Sequence, residues 1–194
     1  MKKTFFRAVD LLIKPEAAWA EIASESHGTK EIVLFALIIV CFPALAMFIG
    51  YVFVGLPMDY GYARMPVNGA VLASVIFYVL SLLAVFAVAF MISMFCRHFK
   101  VEGEWTDCFK LAVYSATAPF LTGGFYVFPV VSFLKIIGFY GVITLFSGLP
   151  IILKIPKEKE LYFVVNIIVF AIIIMVVFFG LVDYFLAPIS SGIL

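Results

Sequence analysis

The sequence predicts an all-α integral membrane protein, a bundle of five transmembrane helices preceded by an N-terminal amphipathic helical arm. Three observations predict it. Hydrophobic residues make up 65% of the chain and charged residues 13%, with a mean hydropathy of +1.20. Soluble domains carry roughly 25% charged residues, so this chain cannot cover a water-facing surface and lipid must be its solvent. The apolar residues also come in blocks long enough to meet the roughly 20 residues that one helical crossing needs. Finally, Lys and Arg concentrate in alternate connections, the pattern that orients membrane helices.

Residues 1–30 form the arm. Phe5, Val9, Leu12 and Ile13 fall on one helix face, spaced at i, i+4, i+7 and i+8. Pro15 suits the first turn of a second short helix, with Glu16 near its positive end. Trp19, Ile22 and Ala23 give that helix an apolar side, and Gly28 stops it. Two placements of the arm are open: Phe5, Phe6 and Trp19 dip into the headgroups, or the helix packs on the protein's own cytoplasmic face. Met1 to Glu31 is too long and too acidic for the start of a signal peptide, so an uncleaved chain is expected.

The membrane domain covers residues 31–187. Span one is about 32–56, with Pro43 inside it; span two is about 67–95 and contains no Asp, Glu, Lys, Arg or His. Ala89 and Ser93 form a small-xxx-small pair suited to close helix approach. The polar connection 97–110 follows, with Trp105 as a headgroup-level anchor. Cys96, His98 and Cys108 are a poor match to zinc-ligand spacing, and three cysteines, the third being Cys41, do not make a disulfide framework. No metal or cofactor is expected.

Residues 111–153 hold one formal charge, Lys135, and are punctuated by Pro119, Gly123, Gly124, Pro129, Gly138, Gly141, Gly148 and Pro150. Forty-three residues exceed one crossing, so two spans are expected, about 111–130 and 136–153, joined by an outer turn at 128–135. Charge counting agrees. With five spans and a cytoplasmic N-terminus, eleven of the 13 Lys and Arg lie inside, and only Arg64 and Lys135 lie outside. Span five is about 161–186, and a short outer tail, 188–194, ends the chain. Its polar members are Asn166, expected to make an interhelical hydrogen bond, and Asp183, expected to be a hydrated carboxylate near the outer end. Gly141 and Gly148 lie one heptad apart on one helix face and are expected to admit a neighbouring helix closely.

No catalytic constellation is present: His-Glu-x-x-His, Gly-x-Ser-x-Gly and the phosphate-binding Gly-x-x-x-x-Gly-Lys-Ser/Thr are all missing. A net charge of +1 gives no field for nucleic acid. Two functional classes remain. One is an adaptor or membrane-organising component that acts through membrane lipids, a second copy of itself or another membrane protein. The other is a small channel or carrier for an ion, small solute or lipid. Its pathway would pass a third span broken at Pro119, Gly123-Gly124 and Pro129, beside the hydroxyls of Tyr114, Ser115, Thr117 and Thr122.

The chain resembles the Yip1 domain family of five-span membrane proteins. Asp10-Leu-Leu-Ile-Lys-Pro15 and Trp19-Ala-Glu-Ile22 are similar to the family's amphipathic entry. The resemblance is strongest at Phe109-Lys-Leu-Ala-Val-Tyr114-Ser-Ala-Thr-Ala-Pro119, at Tyr140-Gly-Val-Ile-Thr-Leu-Phe-Ser-Gly148-Leu-Pro150 and at Ile155-Pro156-Lys-Glu-Lys159. It implies a non-enzymatic role. Eukaryotic relatives are linked to Rab GTPases and vesicle trafficking. The short arm points instead to a prokaryotic member in a cytoplasmic membrane, to which a Rab partner does not carry over.

Overall fold

The computed structural model describes residues 9–24, 28–58, 61–128 and 137–190. The helices follow the apolar blocks. Residues 9–13 belong to a first helix, α1, and α2 is Pro15–Ser24. The long helix α3 runs Thr29–Ile49 and widens into a π-helical turn, Gly50–Val54. A small antiparallel hairpin follows, β1 (Leu56–Met58) and β2 (Gly61–Ala63). It occupies what the sequence reads as a turn-rich loop. Positive φ values of 94° at Gly55 and 104° at Gly61 let the chain enter and turn it.

Helix α4 is Val67–Phe99. Lys100 stops it in the left-handed conformation, returning its N–H to the Arg97 carbonyl, while the Val101 N–H bonds the Cys96 carbonyl at 2.9 Å. The third apolar block is segmented. It comprises α5 (Trp105–Ser115), α6 (Thr117–Thr122) and a 3-10 turn, Gly123–Val127. Helix α7 is Tyr140–Leu153 and ends at Lys154, again left-handed. Helix α8 is Lys157–Ser190.

Among the described residues, three helical stretches are long and apolar enough to cross a bilayer: Thr29–Val54, Val67–Phe99 and Leu161–Ala187. The stretch Ile137–Leu153 is apolar but shorter. The 14 residues of α7 rise only roughly 21 Å. Close contacts nevertheless show how the third and fourth blocks run. The segmented rod lies parallel to α3. Phe35 meets Tyr114 with ring centroids 4.7 Å apart, Pro43 sits on Gly123, and the Tyr126 carbonyl sits on Gly50. Helix α7 then runs antiparallel to that rod. Gly138 faces Pro119 and Thr122, Gly141 faces Ser115 and Pro119, and Leu153 returns to the level of Gly103. Residues 105–127 and 140–153 therefore lie as two antiparallel limbs whose ends at Trp105 and Leu153 meet at one face of the bundle. At that face the Lys159 ammonium donates to the Phe99 carbonyl at 2.9 Å, satisfying the C-terminus of α4.

The main core joins α2, α3, α4, α5, α7 and the first part of α8, with Trp19, Ile32, Phe109, Tyr114, Leu149 and Phe163 fully enclosed. A second cluster at the other end gathers Met47, Met65, Phe77 and Val182. Phe5, Phe6, Pro129, Lys135, nearly all of the expected outer turn and the last four residues of the tail lie outside the described residues.

Candidate functional site

The two antiparallel limbs concentrate the residues that the sequence singles out. Tyr114 is 1% exposed and lies edge-on to Trp19, with centroids 6.2 Å apart and planes at 89°. The Trp19 indole N–H donates to the Thr144 carbonyl at 2.8 Å. A Cβ on Gly148 would overlap the Trp19 ring. Trp19 is 0% exposed, so it is a core residue rather than a headgroup anchor. Gly148 leaves a flat place on α7 that takes the indole, and the Thr144 carbonyl beside it gives the buried N–H its acceptor. Sequence periodicity marks Trp19 as apolar-facing but carries no signal for its partner, 125 residues away.

Gly141 and Gly148 share a helix face yet meet different partners. A Cβ at Gly141 would lie 2.8 Å from both the Ser115 carbonyl oxygen and the Pro119 ring. Gly148 instead receives the arm. Gly123 touches Pro43, and Gly124 faces the Phe42 ring. Tyr140 and Pro150 are half-buried on α7, with the Tyr140 carbonyl accepting from the Thr144 hydroxyl at 3.1 Å. The third span breaks at Ala116, between Ser115 and Thr117, and becomes 3-10 at Gly123. Ala116 and Gly123 mark the two changes of helix, and Pro119 lies inside α6 between them.

Asn166 departs from expectation. Its side-chain N–H donates to the Tyr162 carbonyl on its own helix at 2.7 Å, rather than across to a neighbour. The i−4 carbonyl lies within reach of the side chain and gives that N–H its acceptor without a second helix. Asp183 is exposed on α8. Trp105, 43% exposed, stacks on Phe109 at the start of α5.

Cys96 and Cys108 come together, with sulfurs 4.0 Å apart and both residues buried. Twelve residues separate them in the chain, and only the reversal at Lys100–Glu104 brings them side by side. The hydrogen bond to Cys96, and after it burial, hold the proton on the Cys108 thiol and push its pKa up. His98 stays outside this pair, against Phe99. Among the described residues, no group of three or more His, Cys, Asp or Glu side chains is placed to hold a metal.

Beside the break lies a cavity of about 150 Å³ bounded by α4, α5, α6, α7 and α8. Ser81, Val85, Ser115, Pro119, Gly141 and Met175 are among its walls, and none of its lining residues is charged. It is an apolar space at the point where the packing of α7 on the segmented rod is closest.

Long apolar helices packed around an apolar core define a polytopic α-helical integral membrane protein. The model of the Yip1 domain matches residues 9–179, and the chain belongs to that family. No curated protein and no solved structure matches it.

Proposed function

We propose that this protein is a non-enzymatic, five-crossing membrane component that works as an adaptor or membrane organiser through protein and lipid contacts. Its N-terminus is cytoplasmic and its C-terminus outside, in a prokaryotic cytoplasmic membrane. Its partners are membrane lipids and a second copy of itself or another membrane protein. The observation that carries the reading is the use made of the motif residues. Gly123, Gly141 and Gly148 are each filled by a protein neighbour, and Tyr114 is enclosed by rings. Groups spent on packing are not lining a polar passage. The antiparallel limbs support five crossings, because the first tracks α3 to Gly50 and the second returns to Gly103.

A second reading, a carrier of an apolar solute or lipid, is favoured by the segmentation at Ala116 and Gly123 and by the cavity beside it. The test replaces Tyr114, Ser115 and Asp183 together. Co-purifying partners retained after the replacement support the adaptor. Solute flux in proteoliposomes that disappears with the replacement overturns it. A C-terminal reporter found in the cytoplasm overturns the five-crossing topology.

A further inference from the structure

Hydroxyls in a membrane helix ordinarily bond the carbonyl one turn back. Among the described residues Ser74 does so to Ala70 at 2.8 Å, Thr122 to Pro119 at 3.0 Å, Thr144 to Tyr140 at 3.1 Å and Ser147 to Ile143 at 3.0 Å. Ser81 on α4 and Ser115 on α5 do not, although each is at least 95% buried and neither hydroxyl has a partner. A buried hydroxyl left unpaired costs about 1–3 kcal/mol. Both residues belong to the wall of the same cavity. Thr117, the third such hydroxyl, does not. A serine hydroxyl changes direction by one χ1 rotation between staggered positions, so each oxygen can be turned toward the space it borders.

The occupant's chemistry follows from depth, charge and size. Ser81 lies near the middle of the 33-residue α4. Ser115 lies ten residues, roughly 15 Å of helix, below Trp105. At that depth the ester and phosphate groups of a phospholipid are out of reach, and an acyl tail carries no polar atom. The wall holds no charged residue, so the occupant is neutral. An apolar cavity of about 150 Å³ is known to take one benzene-sized ring, and this one has that volume. Phe179, also in the wall, is exposed on α8, which gives access from the lipid.

We propose that this cavity binds a neutral, lipid-soluble molecule through one oxygen-bearing six-membered ring, a phenol or ring ketone, whose oxygen pairs with Ser81 and Ser115. The site goes beyond the adaptor reading and does not depend on a protein partner.

The test uses the full chain in phosphatidylcholine liposomes and a diazirine-bearing alkylphenol as photoprobe, with labelled residues mapped by mass spectrometry. Saturable labelling of the cavity wall is expected, at Val85 and Met175 first. 4-Propylphenol should compete at about three- to tenfold lower concentration than propylbenzene, the range one or two modest hydrogen bonds supply. In the double variant Ser81→Ala with Ser115→Ala that preference should vanish while propylbenzene competes as before. Because the hydroxyls are unpaired in the free protein, the double variant should melt no lower than the parent. Ala171→Phe, which fills the cavity from α8, should abolish labelling. Unsaturable labelling spread over the lipid-facing surface, equal competition by the two competitors, or a phenol preference that survives the double substitution each overturns the proposal. Partner capture is not among these readouts, so their failure leaves the adaptor reading standing.

Discussion

Helices α3 and α8 are almost equally apolar, with mean hydropathies of 3.0 and 3.1 over their spans. Yet half of the most apolar stretch of α3 is buried inside the protein and only 11% of that of α8 is. In water the two would be buried alike, because burial there is driven by apolar area. In a bilayer the lipid tails are as apolar as leucine, so helices meet only where their shapes allow close packing. The turn that continues α3 carries Gly50, pressed on the Tyr126 carbonyl, and α3 itself carries Pro43, seated on Gly123. Helix α8 carries Gly180, whose missing Cβ faces open space. Small residues with a partner, rather than hydrophobicity, separate the packed part of this molecule from its lipid-facing rim.

The sharpest way to break the comparison is at the arm. Trp19→Ala removes a fully enclosed indole and should destabilise the protein by about 3–5 kcal/mol, read as unfolding in detergent. An unchanged midpoint would mean that α2 is a dispensable cover. Gly148→Val drives a branched side chain into the Trp19 ring and should cost about 1–3 kcal/mol. It should also expose α2 to limited proteolysis and shift Trp fluorescence to longer wavelength. Retained protection of the arm would contradict the Gly148–Trp19 contact.

The same face offers a chemical test. With its pKa pushed up by Cys96 and by burial, Cys108 should hold its proton through pH 8.5, where an ordinary cysteine is about half ionised. Once the pKa lies above the pH, each further unit of upward shift lowers the thiolate fraction about tenfold. Iodoacetamide alkylation at Cys108, followed by mass spectrometry, should therefore run at least about tenfold slower than in an unstructured cysteine peptide at that pH. Parity with the peptide would show the corner between α4 and α5 to be open. The smallest effect belongs to the rim. Gly180→Leu should move stability by less than about 0.5 kcal/mol, and a loss comparable to that of Gly148→Val would show that α8 has a tight partner in the membrane.

Much of this was legible before any coordinates. The apolar blocks mark α3, α4 and α8 within a few residues, because the hydrocarbon thickness sets helix length. The arm's second helix starts at Pro15, as its chemistry requires. The glycines of 141 and 148 read correctly as sites of close approach, though not as sites with two different neighbours. Asn166 read as a bridge between helices and donates within its own. The Cys96–Cys108 pair and the Trp19 to Thr144 bond carry no local signal at all.

Sequence alone therefore determined the solvent, the helical class, the family and the order of apolar segments. Those follow from composition and from segment length against a slab of known thickness. Tertiary structure decided that 105–127 and 140–153 pack as antiparallel limbs, the first of them segmented, that the arm closes onto Gly148, and that two unpaired serines share one cavity. These depend on which surfaces fit within a few tenths of an ångström. In a lipid solvent hydropathy is nearly blind to that fit, because every apolar face is already content where it is.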